Sequence, residues 1–303
     1  MPRIEYESKR FSAQSEALIG HAQIILKEYA QQCFVLTLRQ LYYQFVARDL
    51  LANTEANYKR IGSLINNARL AGLIDWEAIE DRTRNLRELS HWGSPQEIID
   101  DAVKAYSIDK WKCQPCYIEV WVEKDALLGV IQTACDPLEV SYFSCRGYVS
   151  QSEMWRASER FRGQIENGKR ITLLHLGDHD PSGIDMTRDI GDRLEMFLRG
   201  LPSVEVKRIA LNGDQIKRYS PPPNPAKNTD SRFANYMTMY GRESWELDAL
   251  EPRVLIDLIQ GTVSDYMDEG LFKYYMVLEE EQREQLRKAA EGMSARHAGE
   301  EEQ

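Results

Sequence analysis

The chain has 303 residues, with 38 Lys and Arg against 48 Asp and Glu and a formal net charge of −10. That length suits two domains with a sizeable core; no apolar run approaches the roughly 18 residues of a membrane span and no secretory leader opens the chain, so a soluble, cytoplasmic protein is expected. The acidity weighs against a nucleic-acid ligand without excluding one, because local basic patches set phosphate affinity, and residues 1–94 carry 12 Lys and Arg against 11 Asp and Glu while residues 279–303 carry four against eight.

Residues 1–33 form an N-terminal arm. From Phe11 to Tyr29 it reads as an amphipathic helix, with Leu18, Ile19, Ala22, Ile25, Leu26 and Tyr29 at helical spacing, suited to packing or to a dimerisation arm.

Residues 34–112 are read as a helical DNA-binding domain with a connector helix. Thr37-Leu38-Arg39-Gln40 is a capping box, and Leu38, Leu41, Tyr42, Phe45 and Val46 make one apolar stripe on the helix that follows. Tyr43 lies off that stripe, and Arg39 sits one turn before it on the same face. A solvent-facing phenol beside a guanidinium suits a nucleophile, since a cation favours the phenolate. A second helix starts near Thr54, carries Tyr58, Ile61, Leu64, Ile65 and Ala68, and stops near Gly72. Leu73-Ile74-Asp75-Trp76 and the basic Arg82-Thr83-Arg84 follow as strand and wing, completing a winged-helix pattern. Lys59, Arg60, Arg69, Arg82 and Arg84 are the candidate phosphate contacts here, although an ordinary solvated helix face would look the same. Ser94-Pro95-Gln96-Glu97 starts the connector helix.

The five cysteines are Cys33, Cys113, Cys116, Cys135 and Cys145. An odd number argues against a disulfide framework. Cys113-Gln114-Pro115-Cys116 has knuckle spacing, but no second Cys-x-x-Cys accompanies it, so structural zinc is not expected.

Residues 113–278 alternate strands and helices. Strands are predicted at 117–123, 139–145, 171–177 and 204–211, and helices near 125–135, 151–167, 183–199 and 212–218. This alternation implies an α/β domain with a mostly parallel sheet covered on both faces. Two apolar runs end in acidic punctuation: Tyr117 to Val122 in Glu123-Lys124-Asp125, and Ile171 to Gly177 in Asp178-His179-Asp180-Pro181-Ser182-Gly183. Ligands of open α/β sheets bind at the carboxyl ends of strands. Three carboxylates gathered there, Glu123, Asp178 and Asp180, repel one another unless a cation sits between them, and hard oxygen donors suit Mg²⁺ shared with a phosphate. Arg146-Gly147 follows the second strand and offers a guanidinium to a phosphate oxygen; a surface salt bridge is the plainer reading. Lys124 is a further candidate contact to DNA.

A strand ending in Glu followed by a later strand ending in Asp-x-Asp resembles the Toprim domain of topoisomerases, primases and some nucleases. The segments Val122-Glu123-Lys124-Asp125-Ala126-Leu127, Arg146-Gly147-Tyr148 and Asp178 to Gly183, with Leu38-Arg39-Gln40-Leu41-Tyr42-Tyr43 upstream, are similar to those of the A subunit of topoisomerase VI and its meiotic DNA-breaking relative. The resemblance spans roughly residues 36–90 and 117–260. It implies a winged-helix domain followed by a Toprim domain, with Tyr43 as nucleophile on DNA and Mg²⁺ held by Glu123, Asp178 and Asp180. It also implies a homodimer in which one subunit's tyrosine works against the other's metal site to make a staggered double-strand break. Glu123 would complete the metal shell or act as general acid. No Walker-type loop is present, so strand passage would require a separate ATPase subunit. Two other readings fit the same residues: a Toprim nuclease that hydrolyses DNA with water while Tyr43 is non-catalytic, and a non-enzymatic DNA-binding protein.

Pro221-Pro222-Pro223-Asn224-Pro225 is expected to be a stiff loop. Trp245 to Leu250 reads as the opening of a helix, similar to a Glu-containing segment late in the same family's Toprim domain, with Glu246 approaching the metal site from outside or, the plainer reading, capping the helix or pairing at the surface. Residues 279–303 read as an acidic tail and a frayed helix.

Overall fold

The computed structural model describes residues 4–32, 34–79, 89–226 and 230–300. Arg82, Arg84 and Cys33 lie outside the described residues.

The N-terminal part is a cluster of three helices. Helix α1 (Ala13–Gln31) is capped by Ser12, α2 (Leu38–Ala47) by the Thr37–Gln40 capping box, and α3 (Glu55–Leu70) by Thr54. Their apolar faces close one core, with Ile25 of α1, Leu41 and Phe45 of α2 and Ile61 and Ile65 of α3 nearly inaccessible. Gly72 follows α3 at φ +69°, the left-handed turn that ends it, and a side chain there would meet the Glu5 backbone at 2.8 Å. The strand expected at 73–76 does not form. The chain bends and enters a 3₁₀ turn at Trp76–Ala78, and among the described residues the ladder contacts here are single bridges, Glu5 with Ala71 and Leu36 with Ile79. Asp75 is the local reason: its carboxylate accepts from Glu77 N at 3.0 Å and starts the turn.

Helix α4 (Pro95–Ala105) begins at Ser94 with Pro at its first turn, as its sequence predicts. The α/β part follows. Strands β1 (Cys116–Val122), β2 (Ser141–Ser144), β3 (Arg170–Leu176) and β4 (Glu205–Ala210) form one parallel sheet in the order β2-β1-β3-β4. Helices α5 (Leu128–Cys135), α6 (Gln151–Glu166), α7 (Pro181–Phe197) and α8 (Gly213–Tyr219) alternate with them. Side chains alternate across the sheet as a period of two requires. Ile118, Val120, Val122, Leu174 and Leu176 pack on α5, while Trp121, Ile171 and Leu173 pack towards α6 and α7. Glu119 is buried within β1, but Tyr117, Trp121 and both arms of Arg160 donate to it at 2.8–3.0 Å, so its charge is matched.

The remaining chain returns to the sheet. Two-residue strands β5 (Asn224–Pro225) and β6 (Glu243–Ser244) pair antiparallel around α9 (Phe233–Tyr240). The proline-rich segment is therefore a loop with one ladder step in it. The helix expected from Trp245 does not start there. Trp245 exchanges backbone hydrogen bonds with His179 at 2.8 and 3.0 Å, Leu247–Ala249 is a 3₁₀ turn, and α10 (Pro252–Ser264) begins at Pro252. Helix α10 covers the sheet beside α5. Helix α11 (Glu269–Glu300) is continuous through the region expected to fray. Glu279 on α11 is buried: it accepts from Lys110 Nζ at 2.6 Å and Ile108 N at 2.8 Å, which fastens the helix to the connector between α4 and β1.

Cys113 and Cys116, at knuckle spacing, differ in exposure and partner. Cys116 is buried with its thiol towards the Tyr266 carbonyl at 3.2 Å, while Cys113 is exposed and faces the Tyr275 hydroxyl at 2.8 Å. No described helix is long and apolar enough to cross a membrane.

Candidate active site at the carboxyl edge of the sheet

Strands β1 and β3 are adjacent, so the residues that follow them lie side by side. Glu123 N donates to Leu176 O at 2.9 Å, and Glu123 Oε2 accepts from Asp178 N at 2.8 Å. Asp180 caps α7, accepting from Gly183 N at 2.7 Å and Ser182 Oγ at 3.1 Å. Gly183 is required for this turn: a Cβ there would fall 2.2 Å from the Asp178 carbonyl oxygen. Arg208 on β4 braces the same turn, donating to the Gly177, Asp178 and Gly183 carbonyls at 2.6–2.9 Å. Strand β4 is an edge strand that also carries Glu205 and Lys207, so its sequence does not single Arg208 out.

Asp178 is held at both oxygens. Oδ1 accepts from Leu247 N at 2.8 Å, and Oδ2 pairs with Lys124 Nζ at 2.8 Å. Lys124 also reaches Glu246 at 2.8 Å and Asp248 at 3.7 Å. Its ammonium, read from the sequence as a DNA contact, is turned into these carboxylates. Burial works against its charge, but Asp178, Asp248 and Glu246 outweigh it and hold the ammonium protonated. Burial raises the Asp178 carboxyl, to about 7, despite the neighbouring Lys124, and raises Glu123, with Asp180 adding repulsion.

Arg39 closes the cluster from the helical side. Its guanidinium pairs with Glu246 and, at 3.0 Å, with Asp248, whose side chain is wholly inaccessible. The second contact is an ion pair without hydrogen-bond alignment, since Arg39 Nε and both Asp248 oxygens lack an aligned partner. Glu246 is thus neither a cap nor a surface pair. Lys124 and Arg39 draw it into the site and, against burial, hold its pKa low. Further along, Glu251 accepts from Tyr29 and from Gln44 Nε2 at 3.1 Å, and Asn53 Nδ2 donates to Asn224 Oδ1 at 2.6 Å. These contacts seat α1, α2 and the start of α3 on the α/β part.

Between them lies a cavity of about 490 Å³ lined by Arg39, Tyr43, Lys59, Asp178, Asp180 and Glu246, with Asn224 and Trp245 among its other walls. The candidate nucleophile and two candidate metal ligands therefore share one cavity within one chain. Tyr43 is not solvent-facing as the stripe suggested. It is 4% exposed, because α2 packs its core face on α1 and α3 and its opposite face on the 3₁₀ turn at Leu247–Ala249. Burial, then the Glu246 charge, pushes the phenol up to about 12; Arg39, 6.0 Å from the ring centroid, opposes this only in part. Arg39 favours the phenolate as its spacing suggests, but burial and Glu246 outweigh it.

Other expected contacts point elsewhere. Arg146, 76% exposed, pairs with Asp125 at 2.7 Å and is not among the residues lining the cavity. Arg69 folds back over the Trp76 ring at 4.8 Å and donates to the Trp76 and Ile79 carbonyls, so it closes a turn. Arg60 donates to Gln14 at 2.9 Å, and Lys59 pairs with Glu55 at 2.7 Å at the cavity wall. Asp248, Arg208 and Asn224 are the site residues that sequence reasoning missed.

The donor set suits a hard divalent cation in kind: it is all carboxylate, and Glu123 Oε1 and Asp180 Oδ2 have no hydrogen-bond partner among the described residues. The described His, Cys, Asp and Glu side chains do not form a group of three that could hold a metal; Lys124 stands among three of the carboxylates as a built-in cation. No protein-family model matches the chain, and a search of curated proteins finds no match.

Proposed function

We propose that the protein cleaves DNA in a Mg²⁺-dependent reaction in which Tyr43 attacks a backbone phosphodiester. The observation that carries this reading is the shared cavity: Tyr43 and Arg39 on one wall, Asp178 and Asp180 on the other. Glu123, Asp178 and Asp180 are not gathered as a ready group of three among the described residues; in this reading they would be the carboxylates to hold the ion, Asp178 by giving up its pairing with Lys124, and the ion would supply neutralisation of charge on the phosphate oxygens. Glu123 accepts from the Asp178 backbone N–H and is not among the residues lining the cavity, so it would complete the metal shell or act as general acid from beside Asp178.

The chain's own residues do the rest. A bond forms between Tyr43 Oη and phosphorus, and the bond from phosphorus to the 3′ oxygen breaks. The phenolic proton leaves to solvent, and the 3′ oxygen takes one from solvent. The product is a 5′-phosphotyrosyl link, whose energy allows the strand to be resealed. Arg39 sets its charge beside both the tyrosine and the incoming phosphate. The resemblance to the topoisomerase VI A subunit, with its winged-helix and Toprim arrangement, supports the chemistry of this reading; it also implies a homodimer with the tyrosine acting on the partner's metal site and a separate ATPase subunit, whereas the cavity offers Tyr43 to the carboxylates of its own chain.

A second reading is favoured by one observation: Tyr43 is buried and its phenol is held neutral. In that reading water attacks instead and Tyr43 shapes the cavity. Plasmid cutting with Mg²⁺, run before and after protease digestion, separates the two. Transesterification leaves a peptide on the 5′ end and is abolished in Tyr43→Phe; a Tyr43→Phe protein that still cuts, leaving free 5′ phosphate, sinks the first reading and establishes the second.

A further inference from the structure

The proline-rich loop has no part in the reaction above, yet it is built with unusual constraint around one side chain. Pro223 and Pro225 fix the backbone on either side of Asn224. Asn224 pairs with Ser244 across the β5–β6 ladder, and Ser244 Oγ donates to the Asn224 carbonyl at 3.3 Å. Ala226 N is held by the Arg242 carbonyl at 2.9 Å. From the other side of the cavity, Asn53 Nδ2 reaches Asn224 Oδ1 at 2.6 Å and the Pro223 carbonyl at 3.4 Å.

The acceptor end of the Asn224 amide is therefore taken, and its Nδ2 is the end that remains to donate. Asn224 and Tyr43 line the same cavity. Their side chains interact in the sense expected of a donor to the phenol oxygen, favouring the ionised form against the burial that opposes it. We propose that Asn224 is a positioning residue for the Tyr43 oxygen: its Nδ2 donates to that oxygen, aims it into the cavity and stabilises it as its proton leaves. The Asn53 bond fixes the amide in the donating orientation, so Asn53 acts on Tyr43 through Asn224. A rigid loop is the suitable carrier, because a donor that must first be ordered stabilises less than one already held. This inference rests on the reading of Tyr43 as the nucleophile for its catalytic part, and on the shared cavity, the Asn53-oriented amide and the sense of its effect on the phenol for the contact.

The test uses the full chain with difluorotyrosine placed at position 43, whose ¹⁹F resonance reports ionisation of that one phenol without any cutting. Asn224→Ala raises its titration midpoint by about one pH unit, and Asn224→Asp, nearly isosteric, raises it further by turning a carboxylate oxygen towards the phenol. Far-ultraviolet circular dichroism confirms the fold in each case, and the aspartate variant serves where the alanine variant does not fold. An unmoved midpoint in a folded variant overturns the contact. On unmodified tyrosine, Asn224→Ala slows formation of the 5′-linked product about tenfold with DNA affinity unchanged, and the loss is recovered by difluorotyrosine at position 43. Cutting that survives Tyr43→Phe overturns the nucleophile and the catalytic half of this inference, while a moved ¹⁹F midpoint still upholds the contact.

Discussion

Lys124 Nζ stands 2.8 Å from Asp178 Oδ2, so the aspartate that ends β3 is matched by a cation from the segment that ends β1. Glu246 and Asp248 share the same ammonium. Removing it strands three carboxylates in a largely closed site. Lys124→Met is expected to lower stability by about 3 kcal/mol, the low end for breaking a buried pair because the side chain keeps some solvent contact. Lys124→Met combined with Asp178→Asn should cost less than the sum of the two, by about 1–2 kcal/mol. Urea unfolding of the four proteins in a double-mutant cycle measures this, and strict additivity would contradict the pairing.

Gly183 tolerates no side chain. A methyl group would overlap the Asp178 carbonyl oxygen, which is backbone and cannot swing aside. Gly183→Ala is expected to displace the start of α7 and cost about 2–3 kcal/mol. Gly191, on the same helix with open space around it, is the control. Gly191→Ala should be neutral or slightly stabilising in the same thermal melts.

His175 gives a pH dependence with a definite sign. It is fully buried in β3, its Nδ1 meets Thr187 Oγ1 at 2.8 Å, and its Nε2 lacks a hydrogen-bond partner. Burial, with Arg208 adding repulsion, lowers its pKa from 6.5 to about 3. Above pH 6.5 the ring is neutral in both folded and unfolded chains. Below it the unfolded chain takes the proton first, so stability falls as pH drops from 6.5 towards 3. The loss at pH 5 from this one group is about 2 kcal/mol. His175→Gln, though less stable overall, should show a flatter decline between pH 7 and 5 in denaturant titrations.

Covalent cutting should carry the signature of a phenol held neutral. With Tyr43 pushed up to about 12, the phenolate is scarce at neutral pH and grows with alkalinity. The rate of 5′-linked product formation is expected to rise roughly tenfold per pH unit between pH 7 and 9. Rapid-quench measurements at saturating DNA and Mg²⁺ test it, and a flat profile would argue that another step or another attacker governs the reaction.

Much of the fold was legible because its signals are local. Thr37–Gln40, Thr54 and Ser94 announce helix starts through their own side chains, and alternating apolar strands announce the sheet. Glu123, Asp178 and Asp180 were legible because strand ends in such a sheet converge by topology. The site's other half was not. Asp248 and Asn224 arrive on a 3₁₀ turn and a loop with no periodicity to mark them, and Glu246 could be read only through a family resemblance. Tyr43 was placed on the wrong side of a boundary for the same reason: a stripe identifies the face that meets one partner, and α2 has two. Arg69 read as a free cation because nothing in its neighbourhood foretold that Trp76 would lie beneath it.

The walls of the cavity come from three stretches widely separated along the chain, around Arg39–Lys59, Asp178–Asp180 and Asn224–Glu246. A polypeptide emerging from the ribosome presents Arg39 and Tyr43 about 200 residues before Glu246. The cavity therefore cannot close on a chain that stops short of its third wall, whatever ligand it takes.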